Sequence, residues 1–266
     1  MPGVPENFPS LPKDDPPNRL TFSKWLVSER NPLIDRVTVN RAWRAFLGAG
    51  LLRTSGDFGT QSASPDQPEL LDWLAVEFRE QGMSLKKLHR MIVSSATYRQ
   101  DSKISSNLLA RDPENRLLAR GPRHRLEAEV IRDLLLKASG RLSTKMYGPS
   151  VFPPQPASVS AVAYGSTKWN ISKGDDRYRR SLYTFSKRTA PFAAFITFDA
   201  SSGEGCVARR DRSNTPLQAL TILNDRMYVE LAQKLGLEAL EIEPDKRIEY
   251  LFKKLLVRPP IKSEIN

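Results

Sequence analysis

The stretch RHRLEAEVIRDLLLKASG, residues 123–140, carries the strongest amphipathic signal in the chain. Leu126, Val130, Ile131, Leu134, Leu135 and Ala138 recur at helical spacing, and Gly140 closes the run. A segment with that period has to bury one face, so its neighbours must supply apolar surface. They are of the same kind. Pro68 opens PELLDWLAVEFREQG, with Leu70, Leu71, Trp73, Leu74 and Phe78 as its stripe and Gly82 at its end. Ser84 caps SLKKLHRMIVSSATYRQ, with Leu85, Leu88, Met91 and Ile92 inward. Earlier, Asn31 and Pro32 start a helix that Gly48 can end, and Thr21 can cap a shorter one.

The rest is less regular. Residues 49–67 are rich in Gly, Ser, Thr and Asp and read as a loop, as do residues 141–176 with their prolines and serines. The Gly56-Asp57-Phe58-Gly59 letters inside the first loop are turn residues, because no other element of a kinase site accompanies them. Asp112-Pro113-Glu114 reads as the start of a helical turn. Residues 181–187 alternate in character and are rich in β-formers, which predicts a short strand or extended element. Phe192, Phe195, Ile196 and Phe198 fit strand or helix equally. Thr215-Pro216 starts a helix continuing to Gly236, and Pro244 starts a last one. The fold class expected is therefore mainly α, an irregular helical domain with a small extended element near 181–187 and long loops.

Length and charge bound the function. The 266 residues suffice for a sizeable core. Forty-one basic residues against 30 acidic give +11, which favours acidic partners, but no run of five or six like charges marks a nucleic-acid interface. The single cysteine rules out an intrachain disulfide framework and a cysteine-based zinc knot, and no Cys-x-x-Cys-His haem-attachment motif is present. Two histidines without clustered acids make a poor metal site. No run of about 18 apolar residues spans a membrane. Residues 1–20 are proline-rich and polar, a linker rather than a signal peptide.

Several motifs occur in order. They include Asn31-Pro32-Leu33, Asn40-Arg41-Ala42-Trp43, Gly56-Asp57-Phe58-Gly59, Pro68-Glu69-Leu70-Leu71-Asp72-Trp73-Leu74 and Ser95-Ala96-Thr97-Tyr98-Arg99-Gln100. Further on come Pro113-Glu114-Asn115-Arg116-Leu117, Arg180-Ser181-Leu182-Tyr183-Thr184-Phe185, Phe198-Asp199-Ala200 and Asn214-Thr215-Pro216-Leu217-Gln218-Ala219-Leu220. From about residue 20 onward the chain resembles the large planctomycete-type domain of unknown function at the C-terminal end of cytochrome c-associated surface or periplasmic proteins. That resemblance implies an extracytoplasmic or periplasmic setting and an upstream domain as partner. It places haem only on a module further upstream, with no cofactor in this chain. It also implies that residues 21–266, a single α-rich domain, are cut short at both ends.

Chemistry concentrates between Arg177 and Asp225. Asp199, Glu204 and Cys206 lie within eight residues, a candidate acid, base and thiol. The bland reading is a half-buried cysteine in a turn whose acids pair with arginines. Arg209, Arg210 and Arg212, followed by Asn214 and Thr215 at a helix start, have the donors for a carboxylate, sulfate or phosphate. Ion pairing with Asp199, Glu204, Asp211 and Asp225 is the competing use. Phe192, Phe195 and Phe198 fit core packing or a stacking platform for bases or sugars. The leading expectation is a non-catalytic structural module that binds an acidic glycan or protein. The alternatives are a hydrolase or oxidoreductase acting on polysaccharide through Asp199 and Glu204, and a nucleic-acid binder.

Overall fold

A computed structural model describes residues 4–12, 14–59, 61–156 and 169–265. The chain forms two compact units, residues 1–124 and 125–266.

The N-terminal unit is built on α1 (Arg19–Leu26), α2 (Leu33–Leu47), α3 (Pro68–Glu80), α4 (Leu85–Ser94) and α5 (Ser106–Arg111). Asn18, not Thr21, caps α1, its Oδ1 accepting from the Thr21 amide. Helices α2, α3 and α4 share a core of Val39, Trp43, Leu47, Leu71, Leu74, Phe78, Leu88 and Ile92. Two ion pairs fix α3 on α2: Arg36 to Asp72 at 2.6 Å, and Arg79 Nε to Asp35 Oδ2 at 2.6 Å. Trp73 was expected on the buried stripe of α3, yet is 53% exposed, because that stripe turns Leu71, Leu74, Ala75 and Phe78 inward instead. Near residue 25 the proline-rich segment folds back, the Pro9 carbonyl accepting from the Trp25 indole at 2.6 Å.

Behind α2 the chain turns on Asn40. This fully buried side chain gives its Nδ2 to the Leu52 carbonyl and takes the Leu52 amide on Oδ1, both at 2.9 Å. Replacing it with Ala leaves two buried backbone groups without partners, so Asn40→Ala is expected to cost about 2 kcal/mol in urea unfolding of this unit. A change under about 0.5 kcal/mol, typical of surface sites, would contradict that role.

The C-terminal unit holds α6 (Ala128–Ala138), α7 (Ala193–Thr197), α8 (Pro216–Asn224), α9 (Arg226–Leu240), α10 (Arg247–Leu256) and α11 (Lys262–Ile265). The predicted single helix from Thr215 to Gly236 is broken at Asp225, whose carboxylate caps α9 through the Met227 and Tyr228 amides. The α6 stripe differs from the expected one. Ala128, Arg132 and Leu136 are the buried positions, while Val130 and Leu134 are 47% and 46% exposed. A basic side chain at the centre of the inward face is invisible to hydrophobic periodicity.

The expected extended element at 181–187 is absent: among the described residues there is no β-strand. Ser181–Tyr183 is a tight 3-10 turn. Only isolated bridges occur, Ser143 with Arg179 and Val151 with Thr184. The amides of this stretch are spent locally or on a side chain: Tyr183 donates to the Arg180 carbonyl at 2.9 Å, Thr184 to the Ser181 carbonyl at 3.0 Å and Ser181 to Asp133 at 2.7 Å. Buried guanidinium groups hold the flanking segments. Arg132 donates to the carbonyls of Arg179 at 2.7 Å and Arg177 at 3.1 Å. Arg179, also buried, donates to the carbonyls of Pro149, Lys145 and Tyr147 and lies over the Tyr183 ring at 3.7 Å. The loop after α6 is thus held by arginines together with single backbone bridges.

Candidate functional site

In the C-terminal unit, Asp199 is the best-anchored of the residues singled out in the sequence. Its backbone is left-handed, at φ 60°, where a short polar side chain is tolerated better than a bulky one. The carboxylate accepts from the Ser213 amide at 2.7 Å, from the Ser213 hydroxyl at 2.8 Å and from Arg125. Arg125 also donates to the carbonyls of Ser213 at 2.9 Å and Phe198 at 3.2 Å. Buried Gln218 donates to the Thr197 carbonyl and the Ser213 hydroxyl, each at 3.0 Å. Burial works to raise the Asp199 carboxyl, but the Ser213 hydrogen bonds and Arg125 outweigh it and hold the group below its ordinary value.

Glu204 and Cys206 stand apart from this cluster on an exposed turn. The cysteine is therefore not half-buried, because the turn around it has no apolar face to sink. Arg210 points to the start of α6, 2.7 Å from Glu129 and 3.4 Å from Glu127. Burial lowers its pKa, and the pairing with Glu129 more than reverses that. Arg209 and Asn214 are exposed and Arg212 is half-buried. Thr215 caps α8 reciprocally with Gln218, so two of the donors at that helix start are already used. Phe192 and Phe198 are core residues, and Phe195 packs partly buried against them.

The N-terminal unit carries a cleft of about 300 Å³ that the sequence did not announce. Gly48, at φ 84°, forms one wall, and a Cβ there would stand 2.8 Å from His124 Nδ1. Its lining includes Arg53, Arg116, Arg120 and Arg123 against Asp66 and Glu114. Asp66 is held by Arg53 at 2.9 Å and Arg116 at 2.6 Å. The hydrogen bond to Asp66 raises the Arg116 guanidinium further. Arg120, buried, donates to the carbonyls of Asp112 and Pro113, both at 2.9 Å. Asp112 forms no helix start. Its carboxylate instead accepts the Leu117 amide at 2.9 Å and the Arg116 amide at 2.8 Å. The Leu117 bond leads the effects that lower its pKa, against the desolvation that raises it. Asn115 Oδ1 is buried and makes no hydrogen bond among the described residues. Arg123 is exposed at the rim, without an acid partner among the described residues.

The family PSD1, protein of unknown function (DUF1553), matches residues 18–266. The chain belongs to this DUF1553 family. The domain occurs in planctomycete, cytochrome c-associated multidomain proteins. No curated protein and no solved structure matches the chain.

In this DUF1553 chain no cluster of three or more His, Cys, Asp or Glu side chains fit for a metal occurs among the described residues. No helix among them is long and apolar enough to cross a membrane. No local pattern marks Arg125, which sits in a basic run and takes its meaning from Asp199, 74 positions away. The cleft arginines are equally unmarked, spread between residues 53 and 123. The one local signal for that cleft was the turn chemistry of Asp112-Pro113-Glu114-Asn115, whose Asn adopts φ 54°.

Proposed function

We propose that this DUF1553 domain is a non-catalytic binding module of a larger extracytoplasmic protein, working beside a c-type cytochrome, and that it holds an acidic group in the arginine-lined cleft of its N-terminal unit. The carrying observation is the charge of that lining: four guanidinium groups against two carboxylates, with Arg123 left over at the mouth. Planar guanidinium donors suit carboxylate and sulfate, and they stay charged at every physiological pH. Asp66 already fixes Arg53 and Arg116, so these cations are positioned before any ligand arrives.

The non-catalytic reading is supported by Asp199. An acid or base needs a proton that can leave and return, whereas this carboxylate is filled by Arg125 and Ser213 and kept ionised. A second, weaker anion seat is Arg209 to Thr215, where Arg209 and Asn214 are exposed but Arg210 is already neutralised by Glu129.

Calorimetric titration with sulfate and with glucuronate tests the cleft. Saturable binding is expected at low ionic strength, fading as salt screens the rim. Arg123→Ala should weaken it about tenfold, the worth of one charge-assisted hydrogen bond, while leaving unfolding unchanged. Equal affinity in wild type and Arg123→Ala, or no saturable binding of either anion, would remove the cleft from consideration.

A further inference from the structure

The C-terminal unit carries its own cleft, of about 390 Å³. Phe185, Phe192 and Phe195 line it on the apolar side. These rings are braced from behind. Phe185 packs on Phe152 with centroids 4.8 Å apart, Trp169 stacks on Phe192 at 5.8 Å and an interplanar angle of 8°, and Phe195 meets Phe192 edge-on at 5.0 Å. The aromatic wall is therefore preorganised and loses little freedom when something lies against it.

The same lining carries polar groups with acceptor capacity to spare. Asp133 Oδ1 accepts the Ser181 amide at 2.7 Å, while Oδ2 lies 3.8 Å from Arg180 Nε, beyond hydrogen-bond reach. Glu129 uses one oxygen on Arg210. Arg180 is the cation of the lining, near Asp133, while Arg210 meets Glu129 from outside it.

We infer that this cleft seats an uncharged sugar ring, its C–H face on Phe185 and Phe195 and its hydroxyls on Asp133 and Glu129. The volume lies within the small-ligand range of roughly 300–1,000 Å³. Two carboxylates against one guanidinium in the lining disfavour an anionic sugar. Those carboxylates match the many O–H donors of a neutral saccharide, and the aromatic wall matches its apolar face. The inference does not rest on the anion cleft, which lies in the other unit and takes charged ligands.

Saturation-transfer NMR and calorimetry with cellobiose, maltose and N,N′-diacetylchitobiose provide the test, run at high salt to silence ionic binding. At least one disaccharide should bind saturably, with an affinity unaffected by salt and unchanged by Arg123→Ala. Phe195→Ala should weaken binding about tenfold through loss of the ring face. Leu182, which lines the cleft and is 71% exposed, can be changed without touching the core, so Leu182→Arg should block binding in a folded protein. The inference is overturned if none of the three disaccharides binds, if Leu182→Arg binds like wild type, or if the cleft takes an apolar peptide in their place.

Discussion

Arg132→Ala should unfold the C-terminal unit far more readily than any surface substitution does. The guanidinium is fully buried and donates to the Arg179 carbonyl at 2.7 Å, the Arg177 carbonyl at 3.1 Å and the Ser181 hydroxyl at 3.4 Å. Burial drags its pKa down to about 10, with Asp133 opposing the shift, so it remains charged at neutral pH. Removing it strands the buried Arg179 carbonyl and the half-buried Arg177 carbonyl and leaves a cavity, for a combined loss of about 3–5 kcal/mol. Against a typical domain stability of roughly 5–15 kcal/mol, that is a large share. Arg132→Met restores volume but not donors and should recover only part of it. Arg132→Lys should fail too, because an ammonium on a single stem does not reproduce a fork that reaches separate carbonyls. Urea unfolding gives the magnitude, and hydrogen exchange should show protection lost first at residues 177–184. A midpoint for Arg132→Ala matching wild type would mean that the loop is held by something else.

Asp199→Ala is expected to cost about 2–4 kcal/mol, since it breaks the Ser213 and Arg125 bonds together and puts Ala at a left-handed position. Asp199→Asn, which tolerates that backbone and keeps one acceptor, should cost less. The acid limb separates the two effects. In the folded chain the Asp199 pKa lies below its ordinary 3.8, so between the folded and unfolded values the unfolded chain binds the proton more readily. Its contribution is therefore complete above the unfolded value and disappears as pH falls through the folded one. Wild-type stability should drop across that window, while Asp199→Asn, with nothing there to titrate, should show a shallower fall. Parallel acid limbs for the two proteins would show that the fastening does not depend on the ionised carboxylate.

How far these features were legible beforehand depends on the range of the interactions that make them. Ser84 capping α4 and Thr215 capping α8 satisfy a helix end with atoms a few residues away, and Pro68 opens α3 where its missing amide costs nothing; each was readable from its letters. The Asp225 cap on α9 is of the same local kind but was hidden, because apolar spacing runs on through it. The strand expected at 181–187 failed for the opposite reason. Its β-forming composition is real, but the Ser181 amide is taken by Asp133, 48 positions earlier, and the segment closes into a 3-10 turn.

The two clefts follow the same division. Nothing near Arg53 or Arg123 in the sequence states that they line one cleft, and the sequence offers Asp199 the arginines after Cys206 as partners, whereas the fold gives it Arg125. Sequence alone determined that the chain is helical, basic and of the DUF1553 kind, because caps, apolar period and motif order are properties of neighbouring residues. Tertiary structure alone decided which charges are fastened and which remain available, because a guanidinium binds whatever acceptor the fold brings within about 3 Å, however distant in the chain.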